Sequence, residues 1–444
     1  MRRLLRYPVR LVPVGFLVAI LLGTGLLMLP QAAVEHEYTP FTTALFTATS
    51  AVSVTGMSVV DTHTYWNGFG LVLITVLTQV GGLGILTGAA LVILLVARQL
   101  GLRNRLLVQA ETTEYGIGNV RALLLRIAVI ALVCEAVITL VLAGRLWLTY
   151  DYPLGRALWY GLFHAVQAFN NGGFSLYPDS LIRFARDAWI CLPVAAGTIV
   201  GGLGFPAIFD AARTWRRPSR WGVATKLTVW GSLALLVVGF AGLLATEWAN
   251  TRTVGSYGWS GKVLAVATQS AVLRTGGFQM INMAELDEES YPLLIALMFI
   301  GGGSASTAGG IKVGTFFLLA FVIWAQLRGE PDVTVGSRRV AGASQRQGLT
   351  VALLSVALVV AGTTVLIGLA EDVRDYRVLF EVVSAFSTTG VTAGLAAHLN
   401  DAGQFVLIAL MYVGRVGPLT LGSAIALNTR RRLYRYPEEQ PIVS

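Results

Sequence analysis

The groups with chemical potential in this chain are backbone carbonyls rather than acidic or nucleophilic side chains. Four short segments combine a polar residue, a glycine and a bulky apolar residue: Thr55-Gly56-Met57, Asn171-Gly172-Gly173-Phe174, Thr275-Gly276-Gly277-Phe278 and Thr389-Gly390-Val391. Gly56, Gly173, Gly277 and Gly390 are separated by 117, 104 and 113 residues, close to a quarter of the 444-residue chain. That self-similarity predicts four related units, each with one glycine hairpin. Glycine permits backbone angles that turn carbonyls toward an axis without a side-chain clash. A ring of such carbonyls can replace the water shell of a monovalent cation. No carboxylate ring accompanies the hairpins, which argues against a calcium-type site. The expected chemistry is ion conduction across a membrane.

The elements needed to position such hairpins are visible in the apolar pattern. The chain is 55% hydrophobic and only 13% charged, a composition typical of polytopic membrane proteins. Each hairpin follows a helix of half-membrane length, expected near 41–53, 156–169, 260–273 and 376–387. Longer helices flank them, near 11–30 and 68–97, 121–148 and 187–212, 223–248 and 291–327, and 348–370 and 402–428. Irregular backbone inside a membrane must be buried in protein or line a wet cavity. The C-terminal end of each short helix would point its negative dipole toward that cavity and favour a cation. Close helix packing alone would explain one such glycine, but not four at near-equal spacing.

The net charge of +9 is unevenly placed. Basic residues cluster at Arg2, Arg3, Arg6 and Arg10; at Arg98, Arg103 and Arg105; at Arg213, Arg216, Arg217 and Arg220; at Arg328, Arg338 and Arg339; and at Arg430, Arg431, Arg432 and Arg435. The positive-inside rule puts all five clusters in the cytoplasm, so every unit leaves and returns and the repeats run parallel. Both termini are then cytoplasmic, in a bacterial-type plasma membrane. The fold class is an all-α polytopic membrane protein, with four parallel helix–pore-loop–helix repeats around a central pore. It has about eight membrane-spanning helices plus four re-entrant pore helices. Repeat 1 covers residues 1–97 with its hairpin at 54–58, and a linker follows at 98–120. Repeat 2 covers 121–212 with its hairpin at 170–174, before a linker at 213–222. Repeat 3 covers 223–327 with its hairpin at 274–279, before a linker at 328–347. Repeat 4 covers 348–428 with its hairpin at 388–392, and a tail at 429–444 ends the chain. The apolar run after the basic start is read as the first helix rather than a cleaved signal.

Two features beside the hairpins suggest a gate. The run Gly301-Gly302-Gly303-Ser304-Ala305-Ser306-Thr307-Ala308-Gly309-Gly310 is too flexible and polar for an unbroken membrane helix. It is expected to form an intramembrane loop within 301–314 that blocks the pore and moves to open it, tethered by Lys312. A second glycine series, at Gly81-Gly82, Gly201-Gly202, Gly301-Gly302 and Gly414-Arg415, lies in the second helix of each unit. Arg415 stands where units one and two have glycine. A charge inside a membrane helix costs at least about 2.5–3.5 kcal/mol on insertion scales, so a functional role is its default reading. Glu135, mid-membrane in unit two, is read as a structural partner. Cys134 and Cys191 have no metal-ligand spacing, the four histidines are scattered, and no nucleophile–base constellation is present. An enzyme is therefore not expected.

The chain resembles the superfamily of Trk, Ktr and plant HKT potassium transporters. The residues that carry the likeness are Ser50-Ala51-Val52-Ser53-Val54-Thr55-Gly56, Gln79-Val80-Gly81-Gly82-Leu83-Gly84, Phe169-Asn170-Asn171-Gly172-Gly173-Phe174, Arg274-Thr275-Gly276-Gly277-Phe278, Ser304 through Lys312, and Gly414-Arg415-Val416-Gly417-Pro418. The length and start are most like the Ktr membrane subunit, without the two extra N-terminal helices typical of Trk relatives. The resemblance implies a potassium pore working as a homodimer. It implies that the filter carbonyls, which bind K+, come from Val54, Thr55 and Gly56; Asn171, Gly172 and Gly173; Thr275, Gly276 and Gly277; and Thr388, Thr389 and Gly390. Gly277 is favoured over Gly276 as the filter glycine because it precedes phenylalanine, as Gly173 does. Gly56 favours potassium, because some sodium-selective relatives carry serine there. The family also implies a cytosolic nucleotide-binding regulatory ring of the KtrA type, with any nucleotide held by that partner and sodium as a modulator. Membrane lipid is the other partner, and nucleic acid is not one. The competing reading is a secondary transporter that couples its substrate to sodium or another ion at broken helices.

Overall fold

The computed structural model describes residues 11–99, 120–370 and 373–427. The first basic cluster, nearly all of the 98–120 linker and the 429–444 tail lie outside the described residues.

Helix follows helix through the chain, in the order α1 (Leu11–Leu27), α2 (Phe41–Ser53), α3 (Thr62–Tyr65), α4 (Gly68–Gln99), α5 (Val120–Thr149), α6 (Leu154–Asn170), α7 (Ala188–Leu203), α8 (Phe205–Arg213), α9 (Val223–Glu247), α10 (Trp259–Val272), α11 (Ser290–Phe299), α12 (Val313–Leu327), α13 (Gly342–Ile367), α14 (Asp375–Phe386) and α15 (Asp401–Leu427). Among the described residues four helices, α4, α5, α9 and α13, are long and apolar enough to cross a membrane. The bent pair α7–α8 makes a fifth if counted as one span, and α1, α11 and α12 are shorter apolar helices.

The outer surface has the chemistry of a lipid-facing one. On α5, Leu125, Val129, Leu132, Val133, Val137 and Leu140 are exposed, recurring at helical spacing along one face. Leu123, Ile127, Ala131, Ile138 and Leu142 on the opposite face are buried. Exposed tryptophans stand near helix ends, Trp147, Trp189, Trp248 and Trp259 at one set and Trp215 and Trp324 at the other. Trp248, Trp215 and Trp324 stack under Lys262, Arg216 and Arg328 at 4.5, 4.9 and 4.6 Å. Amphipathic rings beside cations are the usual occupants of a headgroup layer.

Three elements differ from the sequence expectation. The helix expected over 187–212 is broken: α7 and α8 meet at 98°. Gly204 takes φ +83° at the break, a conformation open to glycine at little cost, and Pro206 sits in the first turn of α8. The 328–347 stretch is not a plain linker, since Thr334–Val335 and Arg338–Arg339 pair as a small antiparallel hairpin, β1 and β2. The helix after it begins at Gly342 rather than near 348.

Candidate functional site

The four short helices α2, α6, α10 and α14 each run into a hairpin of alternating hand. Val54, Asn171, Thr275 and Thr388 have φ of 57°, 63°, 78° and 51°, and two residues later Gly56, Gly173, Gly277 and Gly390 have φ of 84°, 70°, 74° and 85°. Valine and threonine rarely enter the left-handed region, and each such residue costs on the order of 1–3 kcal/mol unless its surroundings enforce it. Three hairpins enforce it with the same helix-ending bond: Thr55 N–H donates to Ser50 O at 2.8 Å, Gly172 N–H to Gln167 O at 2.7 Å and Thr389 N–H to Ser384 O at 2.8 Å. The third hairpin differs, with Gly276 N–H donating one turn back to Val272 O at 2.6 Å. The positive-φ glycine of that hairpin is Gly277, in register with the other three.

These glycines close a cycle. A methyl group built on Gly56 would land on the Gly172 carbonyl, and one on Gly390 would land on the Thr55 carbonyl. A methyl on Gly173 would stand 3.1 Å from Gly276 O, and one on Gly277 2.9 Å from Thr389 O. Each glycine thus faces the carbonyl just before the glycine of the next unit, in the order one, two, three, four and back to one. The Asn171 side-chain amide and the Thr275 hydroxyl, 3.0 Å apart, tie the second hairpin to the third. Gln279 Nε2 donates to Thr392 O at 3.1 Å and ties the third to the fourth. Val54, Thr55, Asn171, Thr275, Thr388 and Thr389 are all buried.

The returning limbs of the second, third and fourth hairpins are clamped to their own short helices. Glu381 of α14 accepts from the Thr392 hydroxyl at 2.5 Å, Ala393 N–H at 2.9 Å and Leu395 N–H at 3.2 Å. In α10, Gln269 Oε1 accepts from Met280 N–H at 2.7 Å. In α6, His164 Nε2 lies 3.3 Å from Ser175 Oγ and 3.4 Å from Leu176 N.

The second glycine series works as a wedge between helices. Methyl groups on Gly81, Gly201 and Gly414 would land on the carbonyls of Val52, Phe169 and Phe386, each four residues before the positive-φ glycine of its own unit. Without a side chain the second helix reaches the end of the short helix, the contact that replaces hydrophobic drive between helices in lipid. The next residues, Gly82 and Gly202, face Asn170 and Asn171. Behind the second hairpin, Gln79 Nε2 donates to Glu135 at 2.9 Å, and Asn170 Nδ2 donates to Gln79 Oε1 at 2.7 Å and to Glu135 Oε1 at 3.1 Å. Glu135 therefore has the structural partners expected of it.

In the third unit the wedge contact is replaced by the irregular segment between α11 and α12. Its neck is held by Gly301 N–H donating to Ile311 O at 2.9 Å. Gly303 N–H and Thr307 N–H donate to Gly202 O and Gly201 O at 2.7 and 3.2 Å. Phe205 N–H donates to Ala305 O at 3.3 Å, so the α7–α8 bend follows the segment. Thr307 Oγ1 donates to Phe169 O at 3.3 Å, while Gly309 and Gly310 abut Thr388 and Ser387. The segment therefore lies against the ends of the second and fourth hairpins. Its carbonyls carry three cations: Arg415 Nη1 donates to Thr307 O, Lys312 Nζ to Ala308 O, and Arg274 Nη2 to Gly301 O at 2.9 Å. Among the described residues none of the three cations has an ion pair.

The structure thus brings Val54, Thr55, Gly56, Asn171, Gly172, Gly173, Thr275, Gly276, Gly277, Thr388, Thr389 and Gly390 into one cluster. It places Gly301 to Gly310, Lys312 and Arg415 directly beside that cluster. Helix α12 resumes at Val313, so the non-helical stretch ends before the expected 314. Glu381 and the forked contact of Arg274 were missed. Glu381 sits in a helix with no motif to mark it, and the only sequence signal at Arg274 is that it begins the Arg274-Thr275-Gly276-Gly277-Phe278 motif.

The family described as "TrkH: Cation transport protein" matches residues 14–429. The Ktr system potassium uptake protein B of Bacillus subtilis is 36% identical over 431 residues, covering 97% of this chain and 95% of the relative. The protein of the same name from Vibrio alginolyticus is 36% identical over 97% of this chain and 93% of its own length. The potassium/sodium uptake protein NtpJ of Enterococcus hirae is 32% identical over 97% and 96%. The crystal structure of the potassium transporter TrkH from Vibrio parahaemolyticus shares the fold at a TM-score of 0.65, with 21% identity over 94% of this chain and 85% of that one. A profile match across nearly the whole length, joined to relatives above 30% identity, places this chain in the TrkH family of cation transport proteins, which are membrane transporters and not enzymes.

Proposed function

We propose that this chain is the potassium-translocating membrane subunit of a Ktr-type uptake system. The observation that carries the reading is the cyclic register of Gly56, Gly173, Gly277 and Gly390, each set against the carbonyl before the next. Alternating positive and negative φ aims successive carbonyls the same way, where an extended strand would alternate them. Val54 to Gly56, Asn171 to Gly173, Thr275 to Gly277 and Thr388 to Gly390 then form a selectivity filter that replaces the water of K+. The C-terminal ends of α2, α6, α10 and α14 add their negative dipoles. The four helix–hairpin–helix units act as parallel repeats, with about eight spans once the broken and short helices are counted.

The segment from Gly301 to Gly310 is the gate in this reading, supported by its position against the ends of the second and fourth hairpins and by the bonds that Arg415 and Lys312 donate to its carbonyls. A cavity of about 510 Å3 joins it to the β1–β2 hairpin, lined by Ser304 and Lys312 on one side and Arg339, Val340 and Ser344 on the other. That adjacency supports control from the cytoplasm; the Ktr resemblance adds a nucleotide-binding ring beneath a homodimer of this chain, with sodium as a modulator. The test is the turnover of purified chain in liposomes, with and without the cytosolic partner. Flux that keeps rising with potassium toward channel rates is expected once the gate is released. Saturation at low turnover, with obligate movement of a second ion, would replace the pore with a coupled transporter.

A further inference from the structure

We propose that Arg274 is a positioning residue that couples the third filter hairpin to the gate, so that loop movement is felt at the filter. This rests on the gate reading above. The guanidinium belongs to the residue just before Thr275 and divides its bonds between two elements. Nη2 donates to the carbonyl of Gly301, the first residue of the loop, at 2.9 Å, and Nη1 donates to Ser232 O on α9 at 3.2 Å. Ser270, one turn earlier on α10, donates to Leu236 O at 2.8 Å, one turn further along α9. The end of α10 is therefore pinned to α9 twice, and only the Arg274 pin also holds the loop.

The other two cations at the loop sit differently. Lys312 is part of the loop's own end and closes back on Ala308 four residues before it. Arg415 reaches Thr307 from α15. Neither is adjacent in sequence to a hairpin of its own. The third hairpin is also the one whose helix-ending bond departs from the other three, with Gly276 N–H returning one turn to Val272 O, and Arg274 directly precedes its left-handed Thr275. Opening the loop moves Gly301 away from a planar fork whose buried Nε already has no hydrogen-bond partner among the described residues. The guanidinium must then reorient beside Thr275. Lysine has neither the second arm nor the fixed plane needed to hold both carbonyls.

The experiment compares Arg274→Gln, Arg274→Lys and Lys312→Gln as purified full-length chains in liposomes, by basal rubidium uptake and by its block with potassium against sodium. Lys312→Gln should raise basal uptake several-fold and keep the preference for potassium. Arg274→Gln should raise uptake and also bring the two competitors to within about threefold of each other, with Arg274→Lys between the two. Raised uptake with intact preference in Arg274→Gln would make the residue one more loop clamp and overturn the coupling. Altered preference without raised uptake would reduce it to a hairpin support and overturn it equally. Should Arg274→Gln not fold, Arg274→Lys carries the same two readouts. If none of the variants, nor Arg415→Gln, changes basal uptake, the gate reading itself fails and the coupling with it.

Discussion

At the scale of single residues, the site is built from unfavourable backbone held in place by specific bonds. Val54 at φ 57° would relax in most loops; here the Thr55 N–H bond to Ser50 and the neighbouring hairpins leave it no room. Glu381 is the clearest case of a side chain that exists to hold backbone, since three donors of the returning limb converge on one of its oxygens. Glu381→Ala should lower stability by at least about 1–3 kcal/mol, because it strands those donors in a buried site. It should also weaken discrimination of potassium from sodium. Glu381→Gln keeps an acceptor oxygen and should retain most of both, as thermal unfolding in detergent and competitive rubidium uptake would record. Full loss in Glu381→Gln, equal to that in alanine, would mean that charge rather than acceptance is what counts. The four positive-φ glycines were legible from the sequence because their spacing repeats. Glu381 and Arg274 were not, because all their partners but the Thr392 hydroxyl are backbone atoms, and backbone partners leave no complementary residue type to read.

At the scale of elements, helix meets helix through missing side chains. Gly81, Gly201 and Gly414 each admit a carbonyl of the preceding short helix, at the same offset from three hairpins. Gly81→Ala would set a methyl on the Val52 carbonyl and push α4 from α2. Overpacking of this kind costs typically about 1–3 kcal/mol. A drop in melting temperature together with loss of uptake is expected, whereas Gly15→Ala, at a position where a methyl meets nothing within 4 Å, should leave both unchanged. Helix positions were readable from apolar length, and the helices stand within a few residues of where the pattern puts them. The break in α7–α8 was not anticipated. Gly204-Phe205-Pro206 held the signal, but the bend follows from Ala305 reaching Phe205, a contact between segments a hundred residues apart. The β1–β2 hairpin was likewise hidden in a short basic stretch with little apolar alternation.

At the scale of the whole molecule, exposed apolar helix faces, with tryptophans near helix ends, lie outside the buried glycine cycle and the Gly301–Gly310 segment beside it. The membrane potential contributes roughly 2.3 kcal/mol per charge per 100 mV. Rubidium uptake by the open form should therefore follow an imposed potential, inside negative, with no second ion gradient; a strict need for one would favour coupled transport. The central claim is that four hairpins make one filter, with Gly56 as a full member. The most direct measurement is radioactive rubidium uptake into liposomes holding the purified chain, with potassium and sodium as competitors and Gly56→Ser alongside. A side chain at that position would press on the Gly172 carbonyl. The account predicts uptake blocked by potassium and not by sodium, with that discrimination lost in Gly56→Ser. Unchanged discrimination in a folded Gly56→Ser protein would contradict it.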